Sequence, residues 1–256
     1  MDNAELKFFL DLKYNLYNVK SFIDSDPIQI PHRFTKIEDI EIAAFLTATI
    51  AWGQRPTIIR NASRLMELMD NAPHDFILHA NKNEYARFDN FVHRTFNSTD
   101  CVYFLKALRN IYQNYGGLHN VFENHFSKTQ SICETFINFR KIFLEKPHLH
   151  HVEKHISDVS KNSAAKRLNL FLMWMVRNKK QGVHFGLWDK IPASALYIPL
   201  DTHVSKVAHA LGLLTRKQND WLAVEELTAA LRKFDKDDPV KYDFALFGLG
   251  IFEKFV

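Results

Sequence analysis

The sequence predicts an all-α protein. Phe, Leu and Ala recur at three- and four-residue intervals along nearly the whole chain, which is the helical period. Only 8 glycines and 8 prolines occur, and they cluster with other turn residues where the periodicity breaks. At 256 residues and 46% hydrophobic, the chain can bury a sizeable core as one large domain or as two tightly packed lobes.

In chain order, apolar spacing predicts a first helix over 6–17, followed by an extended connector through Asp26-Pro27 and Pro31-His32. Residues 42–52 are apolar with small residues interleaved, the pattern of a buried helix that neighbours approach closely. Gly53-Gln54-Arg55-Pro56 breaks it. A helix over 57–69 ends at Asn71-Ala72-Pro73, and a shorter one with a break falls within 74–86. Residues 87–96 mix aromatic and basic side chains, which serve either base stacking or helix packing with a wet rim; packing is the expected role. Ser98-Thr99-Asp100 reads as the cap of a helix over 101–112 that stops at Gly116-Gly117, and two more helices follow over 121–126 and 131–144.

His148, His150, His151 and His155 come next. His151 and His155 are one helical turn apart and share a face, but Glu153 lies on another side, so no catalytic metal is expected and a solvated, partly basic short helix is. Beyond the central segment, residues 181–192 form a loop holding Trp188. Helices are expected over 201–214, 221–234 and 242–255, the last preceded by the turn at 235–239.

Two residues organise that central segment. Asn162-Ser163 reads as a helix start, and the helix it opens runs through Lys166 into Leu170-Phe171-Leu172-Met173-Trp174-Met175-Val176, which is apolar all round and therefore buried. Lys166 thus stands where a buried helix begins. The positive helix end and the low water content there both favour a neutral amine, which is how lysine becomes a nucleophile; the alternative is a solvated lysine whose stem lies along the helix start. Asp201, after Pro199, opens the next helix, with Val204, Val207, Ala208 and Leu211 as its apolar stripe. Taken alone it is an ordinary N-cap aspartate. Trp52, Gln54 and Arg55 form a third cluster at a loop. There an indole could stack, an amide could fill the gap left by a displaced base and a guanidinium could pair with phosphate, or Gly53 simply ends a helix beside a core tryptophan.

Pro199-Leu200-Asp201-Thr202-His203-Val204 resembles the Pro-Val-Asp-Thr-His-Val signature of the helix-hairpin-helix DNA glycosylases, the superfamily of endonuclease III and the 8-oxoguanine glycosylases. Bifunctional members of that family carry a lysine at the start of the second hairpin helix, and Lys166 fits that place. The long separation of Lys166 from Asp201 is closer to the archaeal 8-oxoguanine glycosylase branch. Tyr242-Asp243-Phe244-Ala245-Leu246-Phe247-Gly248 is similar to that branch's terminal helix, where an acid and an aromatic one turn apart help hold the extruded base. Residues 42–54 are similar to the family's early buried helix, which ends in a glutamine-bearing loop at the DNA. The family's Leu-Pro-Gly-x-Gly turn is replaced by Asp158-Val159-Ser160-Lys161-Asn162-Ser163, without glycine.

The resemblance implies a single glycosylase-like unit over 1–256, two helical lobes with a central cleft, and a hairpin and catalytic segment at about 148–214. It implies an enzyme that extrudes one damaged base, 8-oxoguanine first among them, from double-stranded DNA and excises it as a glycosylase/AP lyase; the alternatives are a non-catalytic DNA-binding protein of the same fold and a helical interaction protein in which Lys166 and Asp201 are only helix-end residues. Lys166 and Asp201 would be catalytic. Asp243, Phe247, Trp52 and Trp174 would hold the base, and Gln54, Arg55, Ser163, Lys161 and His203 would contact DNA. A monomer without cofactor is expected.

Composition sets the outer bounds. Lys+Arg exceed Asp+Glu by 33 to 29, a net charge of +4, which permits a nucleic-acid partner without demanding one. Two cysteines, Cys101 and Cys133, cannot supply four ligands to an iron-sulfur cluster and suggest a reducing, cytoplasmic setting. The polar, acidic start lacks the features of a signal peptide, and no stretch approaches membrane-spanning length.

Overall fold

A computed structural model of the protein describes residues 2–255. Among the described residues the regular structure is helical, with no β-strand; the β-type pairing is limited to the isolated bridges His93 with Phe96 and Ser163 with Asp220. The chain divides into two compact units, one made of the residues up to 22 and from 158 onward, the other of Ile23–Ser157. No helix among the described residues is long and apolar enough to cross a membrane.

The first unit opens with α1 (Asn3–Tyr17). It starts earlier than its apolar period indicates because Asp2 and Glu5 form a capping box: the Asp2 carboxylate accepts from Ala4 N and Glu5 N while Glu5 accepts from Asp2 N.

In the middle unit, residues 25–34 are not extended. They form short 3-10 turns at Pro27–Gln29 and Pro31–Arg33, each with proline at its start, the first capped by Asp26 accepting from Ile28 N. Helices α2 (Ile37–Thr49), α3 (Arg55–Leu68), α4 (Pro73–His79) and α5 (Lys82–Tyr85) follow, then α6 (Ser98–Asn114), α7 (Leu118–Thr129) and α8 (Ile132–Phe143). The cap of α6 is Asn97, not Ser98-Thr99-Asp100: Asp100 is its capping-box partner one turn in.

Every residue of 40–51 is buried, and Phe45 of α2 meets Phe104 of α6 and Phe139 and Phe143 of α8 at ring separations of 5.5–6.1 Å. Each such ring, taken from water, contributes about 1.5–3 kcal/mol. One polar group sits inside this core: Glu41 is fully buried and accepts from the Tyr112 hydroxyl at 2.7 Å, with His119 Nδ1 3.4 Å from its other oxygen. Burial and that carboxylate push the Tyr112 phenol well up.

The histidine segment also departs from expectation. Residues His150–His155 form a 3-10 turn, and His155 is only 4% exposed rather than solvated. His151 and His155 do share a face, and both turn to the fully buried Asp100, at 2.7 and 3.1 Å. A buried carboxylate needs such partners, and apolar spacing carries no record of them. Among the described residues no three His, Cys, Asp or Glu side chains come together as metal ligands, and Cys101 and Cys133 are not joined in a disulfide.

The first unit resumes with α9 (Lys166–Val176), α10 (Thr202–Ala210), α11 (Trp221–Arg232) and α12 (Asp243–Ile251). Arg177, just past α9, is buried and held by Asp238 through Nε and Nη2 at 2.8–3.0 Å. The α12 helix packs along both α1 and α10. Glycine makes the first contact possible, because a Cβ at Gly248 would run into the Tyr17 ring, itself fixed by its hydroxyl on Glu253. Gly248→Ala is therefore expected to destabilise the protein by about 1–3 kcal/mol, read as a lowered melting midpoint; an unchanged midpoint would mean that α1 yields at no cost.

Candidate active site

The site is built from two helix starts in the first unit. Ahead of α9, Asp158 caps the turn Val159–Lys161 by accepting from Ser160 N and Oγ, and Ser163 N closes back on Asp158 O at 3.1 Å. Asn162 then takes the left-handed conformation, φ +63°, and so does Ala165, φ +47°. The expected helix start at Asn162-Ser163 is thus displaced: the N-cap is Ala165, with no side-chain cap bond, and Ser163 Oγ accepts from Ala165 N at 3.3 Å. A turn without glycine still reaches glycine-type backbone, at two residues that are not glycine. Asparagine tolerates this conformation; alanine pays about 1–2 kcal/mol.

That strain makes opposite expectations for two substitutions at Ala165, which is buried. In Ala165→Gly the relief of about 1–2 kcal/mol is offset by about 0.4–1 kcal/mol of unfolded-chain entropy and about 0.8 kcal/mol of lost methyl burial, leaving stability within about 1 kcal/mol of the parent. Ala165→Val adds a β-branched side chain to a left-handed position and should cost about 2 kcal/mol or more. Denaturant melts check both, and equal stability of the two variants would contradict the left-handed start.

From Lys166 onward α9 is buried at Leu168, Asn169 and every residue of 171–176, so its first turn is the part that reaches the surface. Its far end is closed by the loop after it: Phe185 N donates to Trp174 O and Leu187 N to Met175 O, at 2.9 and 2.7 Å. Burial also lowers the Arg167 guanidinium to about 10, still charged at neutral pH.

Asp201 caps α10 with one oxygen only. Its Oδ1 accepts from His203 N at 2.9 Å and Val204 N at 3.0 Å, and its Oδ2 lies 3.8 Å from Lys166 Nζ. The capping bonds fix the carboxylate plane, so the second oxygen is aimed by the first. Both side chains stay accessible, Lys166 at 29% and Asp201 at 22%. The separation is an ion-pair distance, longer than a hydrogen bond. An amine and a carboxylate so placed can act on one atom as nucleophile and as charge stabiliser or proton acceptor.

The other expected site residues of this unit differ in exposure. Lys161 is exposed in the turn before α9, 3.8 Å from Asp158, and Ser163 sits in the same turn. His203 is exposed on the first turn of α10, where Gly250 of α12 lets the helices approach: a Cβ at Gly250 would stand 3.1 Å from His203 Cβ. Asp243 and Phe247 lie one turn apart on α12, both half-buried, and Phe247 packs edge-on against Phe22 and Phe252. Trp174 is only 2% exposed and offers no face for stacking: in a helix apolar all round, a tryptophan's place is core.

Trp52, Gln54 and Arg55 belong to the middle unit. Gln54 is exposed at the N-cap of α3, Arg55 is the first residue of that helix, and Trp52 is half-buried, its ring edge-on to His93 at 4.9 Å. Gly53, φ +105°, has the Arg94 guanidinium 2.9 Å from where a Cβ would be. His93 Nε2 donates to Trp52 O at 3.1 Å and its Nδ1 accepts from Asn61 Nδ2 at 2.9 Å, and burial lowers its pKa.

Sequence reasoning missed residues 216–220. Asp220 binds Asn162, 58 positions away, at 2.9 Å, and also Arg216; Asn219 binds Ser205 at 2.7 Å. The only local signal was a polar residue before a helix. Comparison with known proteins gives a family and nothing finer: no curated protein and no solved structure matches the chain. A family model does match, over residues 26–252, and the chain therefore belongs to the family described as protein of unknown function (DUF2400).

Proposed function

We propose that this protein is a DNA glycosylase/AP lyase of the helix-hairpin-helix type, which takes a damaged base, 8-oxoguanine first among candidates, out of double-stranded DNA. The observation that supports this reading is the convergence of Lys166 Nζ and Asp201 Oδ2 at 3.8 Å, each at the start of its own helix and each accessible. The Pro199–Val204 signature and the lysine-bearing turn ahead of α9 agree with it.

In the proposed reaction the Lys166 amine attacks C1′ of the extruded nucleotide, and the C1′–N bond breaks with its electron pair leaving on the base, which takes up a proton. Asp201 Oδ2 stabilises positive charge on the sugar and receives the proton that the amine sheds. Ring opening gives a Schiff base on Lys166; loss of a C2′ proton with departure of the 3′ phosphate then nicks the strand, and water hydrolyses the Schiff base to free the lysine. Asp243 would accept from an N–H of the base, and Phe247 would stack on it. Lys161, Ser163, His203, Gln54 and Arg55 would contact the duplex. The protein would act as a cytoplasmic monomer, without cofactor or iron-sulfur cluster.

Borohydride trapping on a labelled duplex with 8-oxoguanine opposite cytosine, beside one with an abasic site, tests this. A covalent adduct with both is the expected result. An adduct with the abasic duplex alone keeps the lyase and removes 8-oxoguanine as substrate. Duplex binding without any adduct would replace the enzyme by a non-catalytic DNA-binding protein.

A further inference from the structure

The dyad is only as good as the distance between two helix starts, and one short segment touches both. Ahead of α9, Asn162 is held in two ways by the start of α11: its Nδ2 donates to Asp220 Oδ2 at 2.9 Å, and its carbonyl accepts from Trp221 N at 3.1 Å, a bond that belongs to the isolated bridge of Ser163 with Asp220. Asn162 is one of the two left-handed positions that turn the chain towards Lys166. Behind Asp201, Ser205 is one turn into α10, bonded back to Asp201 O at 2.8 Å. The buried Ser205 hydroxyl donates to Asn219 Oδ1 at 2.7 Å.

Asp220 is the stiff point of this segment. Its Oδ1 accepts from Ala223 N at 3.1 Å as the N-cap of α11, and Arg216 pairs with both carboxylate oxygens. The Arg216 guanidinium is the main reason its carboxyl is pushed down to about 2. A depressed carboxyl stabilises the fold above its unfolded value near 4 and loses that contribution only as pH falls towards 2, so the tie is charged and intact wherever enzymes are assayed.

We infer that residues 216–220 set the separation of Lys166 and Asp201, with Asp220 and Asn219 as positioning residues for the reaction. Asp220 fixes the turn that launches the lysine, and Asn219 fixes the helix capped by the aspartate. The inference rests on the proposed lyase chemistry, and a misplacement of about 1 Å in such a pair costs about 100-fold in rate.

The test reverses the Asn162–Asp220 hydrogen bond. Asn162→Asp places two carboxylates face to face, whereas Asn162→Asp with Asp220→Asn restores one donor and one acceptor at that contact, keeps the parent's net charge, and leaves one oxygen for the N-cap of α11 and for Arg216 Nε, giving up the bond from Arg216 Nη2. Adduct formation is timed by borohydride trapping on an abasic duplex at saturating protein, with duplex affinity and melting measured alongside. The single variant should trap about 100-fold more slowly per bound duplex, and the swapped pair should return to within about 3-fold of the parent. Should Asn162→Asp fail to fold, Ser205→Ala removes only the Asn219 link and should slow trapping about 10-fold with little change in affinity. Parent-like trapping by Asn162→Asp or Ser205→Ala, or a swapped pair that melts normally yet stays slow, overturns the inference alone. A parent protein that forms no adduct overturns the lyase reading and this inference with it.

Discussion

Replacing Lys166 by Gln will abolish Schiff-base trapping and strand cleavage while leaving the fold almost unchanged. In the proposed reaction Lys166 supplies the amine that attacks C1′, so its loss removes the covalent route itself and a fall of at least about 1000-fold is expected. The stability side is small for three reasons that can be sized. The ion pair with Asp201 is 3.8 Å long and partly exposed, in the class worth about 0.2–1 kcal/mol. Glutamine has nearly the helix propensity of lysine. A cation at the first position of α9 faces the positive end of the helix, so its removal returns a few tenths of a kcal/mol or so. The variant should melt within about 1 kcal/mol of the parent and still bind duplex. Retained cleavage would take the nucleophile's role from Lys166, and a collapsed melting transition would make it a structural residue.

How much of this could be read from the sequence divides by the range of the interaction. Helix existence was legible because apolar period is local: α2, α6, α8 and α9 fall where the spacing places them. Their starts were less so. Capping boxes at Asp2 and Asn97 begin α1 and α6 before their apolar stripes do, and a cap is a choice among several nearby polar residues. Asp201 was legible as an N-cap because proline, aspartate and a following stripe all agree there. Lys166 was legible only as a helix start.

The rest depended on partners that no local rule names. Asn162 and Ala165 are left-handed because the 216–220 segment and the buried α9 over-determine the turn, and neither residue type announces it as glycine would. Trp174 was given to stacking by the resemblance alone, whereas the all-apolar helix around it already pointed to a buried indole. His155 looked solvated because Asp100, its partner, sits 55 residues earlier on α6, with α7 and α8 between them.

At Asp201 the two jobs of one side chain can be separated, because they use different oxygens and different chemistry. The Oδ1 atom caps α10 by accepting from His203 N and Val204 N, a role that needs an acceptor but no charge. The Oδ2 atom faces Lys166, a role that needs charge and basicity. Asp201→Asn keeps the acceptor and replaces the charged oxygen by an amide, and asparagine caps about as well as aspartate, so its stability should stay within about 0.5 kcal/mol. Its trapping rate at saturating protein should fall by about 100- to 10,000-fold, the range of a lost acid–base group. Asp201→Ala loses both jobs and should show the same fall in rate with about 1 kcal/mol less stability. Single-turnover trapping beside denaturant melts reads the two effects on separate axes. If Asn matched the parent in rate while Ala failed in both, Asp201 would be a helix cap alone and Lys166 would act without it. If Asn and Ala were equally slow and differed only in stability, the carboxylate belongs to the chemistry, since an intact cap would then have failed to preserve it.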